Sequence, residues 1–139
     1  MRPFEQMAIV LLPDHLHFLW RLPDGDNDFS SRIGAIKQCF TRLRLAGGGE
    51  EGPATSARAR QQYRGVWQKR FHEHWIRDYR DFKRHLDYIH VNPVKHGLAD
   101  RAADWPWSSF PKYVRRGEYG EDWRGRVDLP GCDIEPDGW

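Results

Sequence analysis

Near the start of the chain the hydrophobic residues fall into two extended runs. In MAIVLLPDHLHFLWRL, residues 7–22, a continuous apolar stretch is cut by Pro13-Asp14, after which His15, His17 and Leu19 alternate with Leu16, Phe18 and Trp20. A period of two predicts strands. PDGDN at 23–27 reads as a turn, and Asp28 or Ser30 supplies the cap for a helix in which Ile33, Ile36, Phe40 and Leu43 recur at helical spacing. Arg32, Lys37, Arg42 and Arg44 occupy the rest of that cylinder, giving it a basic outer face. Residues 46–62, AGGGEEGPATSARARQQ, have almost nothing to bury and read as a flexible loop inside the domain. VWQKRFHEHWI, 66–76, carries both a four-residue and a two-residue aromatic spacing, and its aromatic and β-branched content favours a strand. Asp78 caps a helix from about Tyr79 to His90, with Phe82, Leu86 and Ile89 inward, and Pro93 is expected to stop it. Beyond it, ADWPWSSFPKYVRRGEYGEDW carries packing aromatics on an irregular path.

With 139 residues the chain can bury one ordinary core, and one domain over 1–120 is expected, followed by an acidic, mobile tail at 121–139. Hydrophobic residues at 39% exclude wholesale disorder, and 30% charged residues with a mean hydropathy of -0.83 give a polar surface. No apolar run approaches the roughly 18–20 residues of a membrane helix, and no signal peptide is visible. Two cysteines without CxxC spacing indicate neither a zinc knuckle nor a disulfide framework, so a reducing cytoplasm is the expected compartment. The net charge of +2 hides an asymmetry. Nine basic residues face three acidic ones between Arg58 and Arg84, whereas seven acids face two arginines from Glu118 to Trp139. That balance suits a nucleic-acid surface with a solvated end, and equally a salt-laced helix face.

Two constellations carry chemistry. Side chains two apart on a strand point the same way, roughly 6–7 Å apart, so His15 and His17 can converge on one metal ion; two half-buried structural histidines would look the same. His72 and His74 in FHEHW form a rival pair that spacing alone does not exclude. In DYIHVNPVKHGL, 87–98, Tyr88 and Asn92 are four apart and share nearly one helix face. There a phenol can act as a nucleophile and an amide oxygen as a third metal ligand. A phenol of pKa near 10 is a weak nucleophile at neutral pH, so a metal that polarises the electrophile would make the pair productive.

With both motifs in view, the chain resembles the HUH single-tyrosine transposases, and within them the REP-associated tyrosine transposases. LPDHLHFLW is similar to their histidine-hydrophobe-histidine strand, VWQKRFHEHWIRD to the block before the catalytic helix, YIHVNPVKHGL to that helix, and DWPWSSFPKYV to the segment after it. The similarity runs from about Ile9 to Tyr119. It implies an α+β fold, an antiparallel sheet of four or five strands with helices packed on it, of the ferredoxin-like HUH type. Tyr88 would be the nucleophile, with His15, His17 and Asn92 holding Mg²⁺ or Mn²⁺, while His72 and His74 would be structural. Imidazoles by themselves favour zinc or iron over magnesium, so the metal identity rests on the resemblance. The implied reaction is cleavage and rejoining of single-stranded DNA beside palindromic hairpins through a 5′-phosphotyrosine, on nucleoid DNA in the cytoplasm.

Lys37, Arg70, Arg77 and Lys95 are candidate phosphate contacts. Trp67, Trp75, Trp105 and Trp107 can stack on bases but are expected mostly in the core. Family members have a strand and helix before the histidine strand, whereas only Met1 to Gln6 precede it here, so a sheet with an open edge is expected. A hairpin-DNA binder without chemistry and an inactive remnant are the alternative readings, and monomer and homodimer remain equally open.

Overall fold

The structure is a computed structural model that describes residues 3–50, 67 and 71–125. The chain divides into two compact units, Pro3–Arg21 with His74–Trp139, and Leu22–Glu73 with Met1–Arg2.

In the first unit, strands β1 (Glu5–Leu11) and β2 (Leu16–Arg21) pair antiparallel, with Val10 opposite His17 and Leu11 opposite Leu16. Leu12 N–H donates to the His15 carbonyl at 2.8 Å, closing the hairpin around Pro13-Asp14. Arg21 and Glu5 form an ion pair at its far end. Ala8 and Val10 are fully buried, as the alternation requires. The other edge of β1 is not bare. Leu11 N–H donates to the Trp107 carbonyl at 2.8 Å, Ser109 N–H to the Ile9 carbonyl at 2.9 Å, and the Trp105 indole to the Leu11 carbonyl at 2.8 Å. The expected open edge is therefore covered along Ile9–Leu11 by the 105–109 segment. Among the described residues the sheet has two strands, fewer than the four or five the resemblance implied.

Asp78 caps helix α2 (Tyr79–Lys95) through the Asp81 amide at 2.8 Å, and Leu86 and Ile89 are buried with Phe82 packed beside them, as the spacing predicted. The predicted end at His90 is wrong: the helix carries Pro93 inside it and runs to Lys95. Proline lacks the amide that would bond the Ile89 carbonyl, but Pro93 is fully buried, and its packing outweighs the lost bond. Leu98 N–H donates to the Pro93 carbonyl at 2.8 Å and Gly97 N–H to Val94 at 3.0 Å, with Gly97 at a φ of 70°. This is a Schellman stop, which needs a residue in the left-handed region. A 3₁₀ turn at Ala102–Asp104 and helix α3 (Phe110–Arg115) complete the core: Ala8, Val10, Leu12, Leu86, Ile89, Ala102, Phe110, Tyr113 and Tyr119. Trp123, within the predicted tail, packs on this cluster through Tyr119 at 4.6 Å between ring centroids, while residues 126–139 lie outside the described set.

The strand expected at 66–76 is not present at the described residues 71–76. Just beyond it, the Arg77 amide donates to Asp81 Oδ2 at 3.0 Å, so the chain entering α2 is tied to the helix cap and not to a ladder.

The second unit holds helix α1 (Phe29–Ala46), capped by Asp28 through the Ser31 amide as predicted. Its predicted inward stripe is only partly realised. Ile33 is buried, but Ile36, Phe40 and Leu43 are exposed, whereas Arg32 and Thr41 are buried. Arg32 is retained inside by Asp26, with which it pairs at 2.5 Å, and by the Asp28 carbonyl at 2.7 Å. Phe29 meets the Phe71 ring at 6.1 Å, and Phe40 meets Trp67 at 5.1 Å. Most of the predicted loop, 51–62, lies outside the described residues.

Candidate active site

β2 and α2 bring together the two motifs that are far apart in sequence. His15 sits just before β2 and His17 is its second residue, so strand geometry turns both rings to one side. Their centroids are 5.0 Å apart, at 87°. The His17 ring lies 5.5 Å from that of Tyr88, which is buried on α2. Asn92 is one turn further along. Because α2 continues through Pro93, Asn92 lies within the regular helix, on the face of Tyr88.

The local chemistry suits metal ligation. His15 Nδ1 donates to Asp14 Oδ1 at 2.6 Å, which orients the ring and, in its neutral form, puts the proton on Nδ1 and the lone pair on Nε2. Burial, reinforced by the nearby His15, His96 and Lys95, pulls the His17 imidazole down to about 4, so it is neutral at physiological pH. Asn92 is 0% exposed, and among the described residues neither its Oδ1 nor its Nδ2 has a hydrogen-bond partner. Buried amides are almost always satisfied, so an orphan of this kind is what a ligand-accepting position looks like. A divalent cation fits the two imidazoles and the amide oxygen by donor chemistry.

His96 is a neighbour of the site that the sequence motifs do not single out. It caps the C-terminus of α2, and its ring stands 5.6 Å from His15 at 81°. The signal for it is spacing, since Tyr88, Asn92 and His96 are four apart; the expected stop at Pro93 hides it. Lys95 is exposed, with its ammonium 5.5 Å from the Tyr88 ring centroid.

The other candidates are scattered. Arg77 reaches Asp81 at 3.5 Å and lines a cavity with Arg80 and Arg84. Lys37, in the second unit, lies over the rings of Trp67 and Phe71 at 5.8 and 5.6 Å. Arg70 lies outside the described residues. Of the tryptophans expected in the core, Trp67 and Trp105 are half-buried, but Trp75 is 61% and Trp107 64% exposed, which makes these two available surfaces. The pair His72 and His74 does not act as a pair: His74 turns to Asp81 and stacks on His85.

No family model matches the chain. It is 46% identical over 129 residues to a Haemophilus influenzae protein assigned by its name to the REP-associated tyrosine transposases, a match covering 91% of this chain and 70% of that one. It is likewise 46% identical over 126 residues to the REP-associated tyrosine transposase of Escherichia coli, covering 91% of this chain and 66% of the relative. Thus the chain spans about two thirds of the length of these relatives. The solved structure of a REP-associated tyrosine transposase bound to a REP hairpin is 44% identical, with a TM-score of 0.73, over 91% of this chain and 67% of that one. No helix among the described residues is long and apolar enough to cross a membrane.

Proposed function

Because the chain belongs to the REP-associated tyrosine transposases, we propose that it cleaves and rejoins single-stranded DNA beside palindromic hairpins, with Tyr88 as the nucleophile. The observation that supports this most directly is the approach of the Tyr88 ring to the histidine pair, 5.5 Å from His17. In this reading the Tyr88 oxygen attacks phosphorus in line, the bond to the deoxyribose 3′ oxygen breaks, and the products are a 3′-hydroxyl and a 5′-phosphotyrosine. The link preserves the phosphodiester's energy, so another 3′-hydroxyl reverses the step without a nucleotide cofactor.

Mg²⁺ or Mn²⁺ held by His15, His17 and Asn92 would supply Lewis-acid polarisation of a phosphate oxygen. The chain's own residues do the rest. Asp14 orients His15, burial keeps His17 neutral, and Lys95 sets a positive charge beside the ring that bears the nucleophile. Lys37, Arg70, Arg77 and Lys95 would neutralise phosphates, and the exposed Trp75 and Trp107 would stack on unpaired bases. The site of action would be chromosomal DNA in the cytoplasm.

The test is to incubate the protein with a labelled hairpin oligonucleotide carrying a single-stranded flank, with Mn²⁺, and to run a denaturing gel. A covalent protein–DNA band that Tyr88→Phe abolishes is the expected result. Retarded DNA on a native gel with no covalent band would instead assign a binding role without chemistry.

A further inference from the structure

We propose that His74, Asp81 and His85 form a second metal site, separate from His15 and His17, that takes a borderline divalent transition ion such as Zn²⁺ or Co²⁺. The three side chains each present one ligand atom, and these atoms lie within 4.8 Å of one another; among the described residues this is the group of His, Cys, Asp and Glu that meets that condition. His74 Nε2 is 2.8 Å from Asp81 Oδ2, and His85 Nδ1 donates to the Asp81 main-chain carbonyl at 2.9 Å, which leaves Nε2 as the His85 atom to face an ion. Metal bonds of about 2.0 Å in a tetrahedron put neighbouring ligands about 3.3 Å apart, so the His74–Asp81 separation is near that of a loaded site.

A helix cap alone does not account for the burial pattern. Asp81 Oδ2 has a capping role, accepting from the Arg77 amide at 3.0 Å as well as from His74. Its other oxygen, Oδ1, is buried in a side chain only 4% exposed, stands 3.3 Å from His85 Nδ1 and has no hydrogen bond among the described residues, and His85 Nε2 is buried without one among them as well. Two such acceptor atoms, buried in one cluster, suit a cation. Two imidazoles and a carboxylate are a donor set that zinc and cobalt favour over magnesium. A cavity of about 60 Å³ lined by Arg77, Asp78, Arg80, Asp81 and Arg84 adjoins the cluster, room enough for a water as fourth ligand.

Ion binding at this cluster requires a movement. The His74 and His85 rings are stacked, 4.3 Å apart at 17°, and two imidazoles that aim their lone pairs at one ion cannot remain face to face. His74 is 39% exposed and can swing, whereas His85 is confined. The loaded site would fasten the segment entering α2 to the helix that bears Tyr88.

The experiment uses the full chain, stripped of metal with EDTA and dialysed, and titrates Co²⁺ while following the visible d–d absorption. A His15→Ala/His17→Ala background removes the first site. There, one equivalent of Co²⁺ should still bind with a tetrahedral spectrum, Zn²⁺ should displace it, and Mg²⁺ should not. Adding either His74→Gln or His85→Gln should weaken that binding about tenfold or more. Far-UV circular dichroism checks that the variants remain folded, and the exposed His74 gives a variant least able to disturb the core. Absence of Co²⁺ binding in the His15→Ala/His17→Ala protein would overturn the proposal. So would binding that both glutamine variants leave unchanged.

Discussion

In the proposed role as a metal ligand, Asn92 sets stability against function at a single side chain. A buried amide with both polar atoms unpartnered carries a penalty of about 1–3 kcal/mol that an apolar side chain of similar shape avoids. Asn92→Leu is therefore expected to raise the stability of the metal-free protein by about 1–2 kcal/mol, seen as a higher urea midpoint in EDTA. The same change should lower Mn²⁺ affinity and the yield of covalent adduct about tenfold or more. Loss of stability and activity together would mean that the amide has a structural partner instead. Tyr119 makes the opposite case. Its hydroxyl donates to Asp87 Oδ1 at 2.5 Å, and Lys83 reaches the same oxygen at 3.0 Å, so the polar group is fully used and Tyr119→Phe should cost about 1–3 kcal/mol.

Helix α2 is the element on which the site depends, and its stop can be tested apart from its chemistry. Gly97 has a φ of 70°, and no atom lies within 4 Å of the place an alanine methyl would take, so Gly97→Ala meets backbone strain alone. A cost of about 1–2 kcal/mol in urea unfolding is expected, with the fold retained. His90 ties the same helix to β1. Its Nε2 hydrogen-bonds Ser109 Oγ at 2.8 Å, Ser109 Oγ takes the Ile9 amide at 2.9 Å, and Nδ1 is buried with no hydrogen-bond partner among the described residues. Burial pulls this imidazole down to about 4 from 6.5, Asp87 opposing and Lys83 adding to the shift. The unfolded chain thus binds a proton that the folded chain refuses. Stability from this group is complete above about pH 6.5 and is lost as pH falls toward 4, by up to about 3 kcal/mol. Urea midpoints at pH 7, 5.5 and 4.5 should fall less steeply in His90→Gln than in the wild type; parallel profiles would refute the assignment. How far these elements were legible follows from where the packing information lies. The hairpin, the Asp28 and Asp78 caps and the inward face of α2 are local patterns, and the sequence displays them. The extension of α2 through Pro93 depends on burial of the proline ring, and the absence of a strand at the described residues 71–76 goes with an Arg77 amide taken by Asp81; both are tertiary effects. His15, His17, Tyr88 and Asn92 were readable as motifs, whereas His96 became visible only with the full length of the helix.

At the scale of the whole molecule, the low net charge of +2 means that the proposed DNA binding rests on local groups and not on a uniform field. Two kinds of contact can be told apart by salt. Lys95 is exposed beside Tyr88, and a lysine that neutralises one phosphate releases condensed counterions, contributing about 0.7 to the slope of log affinity against log salt on a single strand and about 0.9 on a duplex. Trp107, 64% exposed at a position where its carbonyl but not its ring holds β1, would act by stacking, which releases no counterions. Hairpin binding by Lys95→Gln should weaken most at low salt and show a slope shallower by about 0.7–0.9. Trp107→Ala should lose about 1–3 kcal/mol of affinity at every salt concentration with the slope unchanged. Fluorescence anisotropy with a labelled hairpin from about 50 to about 300 mM salt separates the two, since the range changes phosphate-driven affinity by orders of magnitude. A Trp107→Ala slope that falls along with affinity would place that loss in a rearranged phosphate track. Unchanged affinity in both variants would move the DNA surface away from Lys95 and Trp107.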